Sequence, residues 1–122
     1  KDISAGNIDP ITPREMLEIM VVSTNAQCPI QIDKVMTLSS VSLEKDNFVY
    51  NYSLDENTVS VESIEGNKDV LKANIKKLLL SGDPMMQELI RTCKEANVSI
   101  LYRYIGDISG DVCIVKISSE EF

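Results

Sequence analysis

Apolar positions along this chain recur with two different periods, and the places where the period changes mark its elements. Met16, Leu17, Ile19, Met20 and Val22 return at helical spacing behind Thr12, Pro13 and Glu15. A threonine hydroxyl at a helix start accepts from the amide three residues on, and a glutamate there reaches back to the cap amide. Proline at the first helical position lacks only an amide that would be unpaired anyway. The pattern predicts a helix over 13–24 with Asn25 as its stop. Cys28-Pro29 breaks the period, and Ile30 and Ile32 form a short extended piece.

Residues 36–44 are rich in Ser, Thr and Val, which favours a strand. Leu38 has the opposite parity to Val41 and Leu43, so a bulge is expected near Ser39 and Ser40. Beyond the turn Lys45-Asp46-Asn47, Phe48, Tyr50, Tyr52 and Leu54 alternate against Val49, Asn51 and Ser53. The two strands predict an antiparallel hairpin. Residues 58–65 alternate through Val59 and Val61 and then shift to Ile64; they read as a third strand or as an extended approach to a helix. Val70, Leu71, Ile75, Leu78 and Leu79 restore the helical period, with Asn67 as a cap and Gly82 as a stop. Asp83-Pro84 starts another helix at once, apolar at Met85, Met86, Leu89, Ile90, Cys93 and Ala96 and stopped by Asn97. Val98, Ile100, Tyr102 and Tyr104 then alternate against Ser99, Leu101, Arg103 and Ile105. A turn over Gly106–Asp111 leads to a closing strand over 112–117.

Strands and helices in blocks predict an α+β fold. The expected architecture is an antiparallel sheet of about four strands, in two hairpins, covered on one face by about three helices. Residues 1–11 read as a flexible leading segment, 12–117 as one domain and 118–122 as a polar tail. A chain of 122 residues suits one domain. It can bury about two-thirds of its unfolded surface, so a core needs neither metal nor several disulfides.

Charge and missing residue types narrow the function. Twelve basic against 19 acidic residues leave a net charge of −7, with no basic stripe to replace counterions along phosphates, so no nucleic-acid partner is expected. Lys68, Lys72, Lys76 and Lys77 have the spacing of a solvated helix face. The absence of histidine removes the commonest general base and metal ligand. With no tryptophan and six aromatics, a stacking platform is hard to build. No apolar run reaches the roughly 18 residues of a transmembrane segment. The polar start at Lys1 reads as what remains once an export signal is removed or omitted.

Cys28, Cys93 and Cys113 contain no Cys-x-x-Cys pair, so a zinc knuckle and a redox motif are unsupported. Cys93 and Cys113 read as small core residues; in an oxidising compartment, Cys28 with Cys93 is the favoured disulfide among the three pairings. Asp107 with Asp111, and Asp55 with Glu56, could offer carboxylates to calcium, but the spacing is not that of an EF-hand and such residues belong in turns anyway. Glu15 and Asp83 are helix caps. Asp33 is the least explained acid, and it is expected to accept from amides of the following turn. Phosphate-cradling glycine motifs and a nucleophile elbow are absent. Asn51-Tyr52-Ser53 and Asn97-Val98-Ser99 fit a glycosylation tripeptide short enough to arise by chance. Tyr50, Tyr52, Tyr102 and Tyr104 form either a tyrosine binding surface or part of the core face; Phe48, Leu54, Val98 and Ile100 share their parities, which favours the core. No residue is assigned a catalytic, cofactor-binding or metal-binding role, and no cofactor is implied.

Cys28-Pro29-Ile30-Gln31-Ile32-Asp33, Met36 to Val41 and Phe48 to Leu54 together resemble a small-domain family of exported bacterial proteins. Asp83-Pro84-Met85 to Cys93, Ala96-Asn97 and Tyr102 to Gly106 are similar to its Bacteroides-type members, and the likeness spans about residues 12–117. These motifs are structural signals. The resemblance implies a secreted protein or lipoprotein of the envelope, periplasmic, outer-membrane-anchored or extracellular, and supplies no activity; the cytoplasm stays open. The leading expectation is a non-enzymatic binding or accessory module for an unidentified protein or small molecule. A small hydrolase using carboxylates or a cysteine is one alternative. A structural subunit that self-associates as a homo-oligomer through a sheet edge is the other.

Overall fold

The computed structural model describes residues 11–122. The elements are α1 (Pro13–Asn25), β1 (Ile30–Gln31), β2 (Met36–Glu44), β3 (Asn47–Leu54), α2 (Val61–Gly66), α3 (Lys68–Leu79), α4 (Pro84–Ala96), β4 (Ser99–Gly106) and β5 (Val112–Ile117). The five strands form one sheet in the order β1-β2-β3-β4-β5. The α+β class is as expected, and both hairpins form: β2 with β3 and β4 with β5 are antiparallel. The hairpins join through β3 and β4, which run parallel, so the sheet is mixed and not wholly antiparallel. Residues 55–98 leave the end of β3, cross one face as α2, α3 and α4, and return to the start of β4. A crossover of that length brings the next strand in parallel, whereas a tight turn cannot. A bulge between Leu38 and Ser40 restores the apolar parity of β2, where it was anticipated.

Three local expectations change. The segment read as a strand or extended approach contains helix α2, giving four helices. Ser60 caps it, its hydroxyl accepting from the Ser63 amide at 3.1 Å, and the helical turn sets Ile64 on the same face as buried Val61. Asn67 makes no side-chain cap for α3; its amide donates to the Ser63 carbonyl at 2.9 Å and closes α2 instead. α3 ends at Leu79 with Leu80 at its C-cap, ahead of the Gly82 expected to stop it, while the boundaries of α1 and α4 follow their signals. Thr12 and Glu15 form the reciprocal capping box of α1, and Asn97 ends α4 with φ of 56°.

The core lies between the sheet and the helices. Phe48, Leu54, Ile100, Tyr102, Tyr104, Cys113, Val115 and Ile117 point inward from β3, β4 and β5. Leu17, Ile75, Leu79, Leu89, Ile90 and Cys93 meet them from α1, α3 and α4. α1 packs on α4 and β2, α2 and α3 pack on β5, and α4 packs on β4. After β5, Glu121 accepts from the Ser118 amide at 2.9 Å and pairs with Lys72 and Lys76 at 3.1 and 3.4 Å, so the tail read as polar is held against α3. The flexible leading segment expected over 1–11 lies, apart from Ile11, outside the described residues.

β1 covers only one end of the β2 edge. Farther along, the Asn25 side chain substitutes for a strand: its amide donates to the Val41 carbonyl at 2.9 Å and its carbonyl accepts from the Val41 amide at 2.8 Å. Both backbone groups of a buried residue are satisfied by one side chain. Asn25→Ala is expected to lower stability by about 1–3 kcal/mol, the cost of leaving such groups unpaired. A urea midpoint unchanged in that variant would show that water replaces the amide without loss.

Candidate functional site

A groove of about 520 Å³ opens between α1, β3 and the first turns of α4. Met20 lines it from α1, Phe48 and Tyr50 from β3, and Met85, Met86 and Leu89 from α4. The capping box fixes where α1 begins. Gly82, with φ of 93°, turns the chain from α3 into α4, a conformation that suits a residue without Cβ. Asp83 then caps α4, accepting from the Met85 amide at 3.1 Å. Two acids stand at the rim. Asp83 carries that cap, and Glu88 is hydrogen-bonded to Arg91, whose guanidinium holds the Glu88 carboxyl below its ordinary range.

Behind the groove lies a ladder of aromatic rings. Phe48 and Tyr50 have centroids 5.4 Å apart, Tyr50 and Tyr102 5.1 Å, and Tyr52 and Tyr104 5.2 Å. The parallel register sets Tyr50 beside Tyr102 and Tyr52 beside Tyr104, and offset stacking follows. Burial raises all four phenols above their usual range, with Tyr52 pushed up to about 12. They stay protonated at physiological pH, so they offer hydroxyl groups and no phenolate nucleophile. All four tyrosines face the core, as expected: Tyr102 and Tyr104 are buried, and Tyr50 and Tyr52 are half-buried and packed against it.

The opposite face of the sheet carries a polar network. Arg103 forks onto Glu44, with Nη2 donating to Oε1 at 2.8 Å and Nη1 to Oε2 at 3.2 Å. Nη1 also donates to Asn51 Oδ1 at 2.9 Å, and the Asn51 amide donates to Ser40 Oγ at 3.2 Å. The Arg103 guanidinium and the Ser42 hydroxyl hold the Glu44 carboxyl low. These groups satisfy one another across three strands and form a structural clamp.

Residues 13–114 match the profile of DUF8479, a domain of unknown function. The chain belongs to that family. No curated protein matches this DUF8479 chain in sequence. Its fold is shared with a candidate secreted protein of Pseudomonas aeruginosa, at a TM-score of 0.72 and 11% identity, covering 89% of this chain and 91% of that one. The pilotin of the Vibrio vulnificus type 2 secretion system has a TM-score of 0.61 at 10% identity, covering 89% and 94%. The type II secretion system pilotin of Vibrio cholerae has a TM-score of 0.54 at 9% identity, covering 90% and 95%. At such identities the likeness is one of fold.

The acids singled out in the sequence occupy separate places in the DUF8479 domain. Asp33 Oδ1 accepts from the Val35 and Met36 amides at 2.8 Å each, the turn role expected of it. The loops carrying Asp55-Glu56 and Asp107 do meet, but they hold each other. Glu56 Oε1 accepts from the Ile108 and Ser109 amides at 2.7 and 2.6 Å, Oε2 accepts from Ser109 Oγ at 2.8 Å, and the Glu56 amide donates to Asp107 Oδ1 at 3.0 Å. Asp111 lies across the turn, near α2. Among the described residues no group of three or more Cys, Asp or Glu is arranged to hold a metal ion. Lys68 pairs with Glu65, and Lys72 and Lys76 with Glu121, so three of the four lysines read as a solvated face have acidic partners. Asn51 is engaged in the polar clamp and Asn97 in the α4 cap. Neither Asn25 nor Glu56 was singled out for its actual role. Asparagine at a helix end and glutamate in a turn are ordinary signals, and their partners lie 16 and more than 50 residues away.

Cys28, Cys93 and Cys113 are free thiols, so the favoured Cys28–Cys93 disulfide is not formed. Cys93 and Cys113 are buried, as core residues should be, while Cys28 is partly exposed. Burial pushes the Cys93 thiol up to about 12 and the Cys113 thiol to about 11. Alkylation of native protein near neutral pH is expected to modify Cys28 first, with Cys93 and Cys113 reacting only on unfolding. Mass spectrometry of timed samples reads this directly; equal rates at all three sites would contradict the burial.

Proposed function

We propose that this domain is a non-enzymatic accessory module of an exported protein, acting in the envelope or outside the cell, that binds an apolar segment of a protein partner in the α1–α4 groove. The single observation carrying this reading is the chemistry of that groove. Met20, Met85 and Met86 surround Phe48 and Tyr50, and Met85 is 82% exposed. Unbranched, polarisable methionine side chains adapt to an incoming apolar surface, which suits a binding face. A general acid at neutral pH needs a raised carboxyl pKa, whereas Glu88 at the rim is lowered by Arg91. That favours binding over hydrolysis. The fold shared with a candidate secreted protein and with two pilotins supports the envelope or extracellular setting. The Bacteroides-type affiliation, and residues 12–117 as the one domain, belong to the same reading.

The test is to express the gene with its own upstream sequence, carrying a photo-crosslinking residue at Met85 or, as a control, at Ser42 on the opposite sheet face. The reading expects the protein in the envelope or medium, and a discrete adduct from position 85 that is absent from position 42 and lost on Met86→Asp. Protein confined to the cytosol, or adducts equal at both positions, would overturn it.

A further inference from the structure

The phenol hydroxyls of the aromatic ladder make no hydrogen bond among the described residues, although a buried tyrosine usually has a partner for its hydroxyl. Asn47 Oδ1 is the one buried side-chain polar atom there without a partner, so no phenol oxygen is sealed from solvent. Of these tyrosines only Tyr50 lines the α1–α4 groove. Its ring packs against Phe48 at 5.4 Å, Tyr102 at 5.1 Å and Tyr52 at 6.3 Å. Aromatic neighbours on these sides fix the ring and hold its hydroxyl in place. Burial keeps that hydroxyl protonated.

We propose, resting on the groove reading above, that the Tyr50 hydroxyl selects the backbone form of the bound segment: it donates to a carbonyl oxygen of a partner chain that lies in the groove extended and not helical. The reason is what happens to the hydroxyl when water leaves. An arriving apolar segment displaces the water beside Tyr50, and a hydroxyl then left unpaired opposes binding. A helix lays down only side chains, because its carbonyls are bonded within it. Its apolar face would leave Tyr50 without an acceptor.

An extended segment keeps its carbonyls and amides free until something pairs with them. β3 cannot, because it is already bonded to β2 on one side and to β4 on the other. Side chains must serve instead. The Asp83 and Glu88 carboxylates at the rim accept and do not donate, which suits the segment's amides. The Tyr50 hydroxyl supplies a donor for a carbonyl. Floor and rim together offer what a bare backbone needs, among walls otherwise apolar.

The test starts from the adduct captured by the crosslinker at position 85. Mass spectrometry locates the captured partner segment, which is then synthesised as a peptide and titrated by calorimetry into the wild-type chain and into Tyr50→Phe. The substitution removes the hydroxyl and keeps the ring. Affinity is expected to fall about 5- to 100-fold, the effect of leaving a buried carbonyl without its donor. The urea midpoint should stay where it is, because the hydroxyl has no partner to lose in the free protein. A merely structural tyrosine would move the midpoint and leave the affinity alone. Circular dichroism of peptide mixed with the wild-type chain should show no helix beyond the sum of the two, a reading that does not depend on the variant. Equal affinities for the two proteins, or a peptide that turns helical on binding, would overturn the proposal and leave the groove occupied. No adduct from position 85 would remove the groove reading, and this inference with it.

Discussion

Leu17→Ala is expected to cost about 2–5 kcal/mol of folding stability, the range for emptying a buried leucine site. Leu17 is the one fully buried residue of α1. Met16, Met20 and Val21 are half-buried, while Ile19 and Val22 remain exposed. The helix thus docks on α4 and β2 chiefly through Leu17, with Met20 and Val21 packed against the core beside it and the Asn25 amide holding its end. A domain of this size has about 5–15 kcal/mol of stability in total, so the loss is a large share. α1 also forms one wall of the groove, so loosening it should make Met20 and Met86 more accessible to oxidation. Urea unfolding measures the first effect, and peroxide footprinting the second. A loss below about 1 kcal/mol would mean that α1 is held mainly by its polar contacts with β2.

Gly106→Ala is expected to destabilise by about 1–3 kcal/mol, the usual cost of forcing extra volume into a filled site. A Cβ on Gly106 would overlap the Glu56 carboxylate, and that carboxylate is tied to the Ile108 and Ser109 amides and the Ser109 hydroxyl. It must give up those bonds to make room. The cost should therefore shrink in a Glu56→Ala background, and a double-mutant cycle on urea midpoints measures that coupling. Additive effects would show that the clash is relieved elsewhere. The same bonds create a pH dependence. Hydrogen bonds from Ser109 and Ile108 lower the Glu56 carboxyl below 4.5. Those from the Ser118 amide and Lys72, with the Lys72 charge, lower Glu121 from 4.5 to about 2. The folded state then binds fewer protons than the unfolded chain. This contribution is fully present above about pH 4.5 and is lost as pH falls through the folded values. Glu121→Gln should flatten that acid limb, and an acid limb unchanged by it would remove Glu121 from the explanation.

The candidate groove was legible only in its parts. Met85, Met86 and Leu89 stood out as one apolar face of a helix, and Phe48 with Tyr50 as one face of a strand. A stripe of that kind is usually buried, so periodicity gave no reason to keep Met85 in solvent. In the fold Met85 lies in the first turn of α4 at the groove, where it stays 82% exposed. The aromatic ladder has the same history. Two tyrosine pairs were visible on two strands, but the stacking depends on β3 and β4 being neighbours in register.

Interactions between near neighbours in the chain were decided by the sequence alone. The Thr12–Glu15 capping box, the starts at Pro13 and Pro84, the stop at Asn97, the bulge near Ser39 and the two hairpins each need only a few adjacent residues to recognise one another. Asp33 bonding the amides of its own turn is of the same kind. Tertiary structure decided whatever joins distant segments. It turned the alternating run at Val59 and Val61 into a Ser60-capped helix against β5, because a short apolar alternation fits either period until a surface selects one. It set β3 parallel to β4, because two hairpins can meet in several orders and only the packing of the crossover helices selects among them. It also sent Asn25 to Val41 and Glu56 to Ser109, since a polar side chain acquires a particular partner only when folding brings an unpaired backbone group within reach.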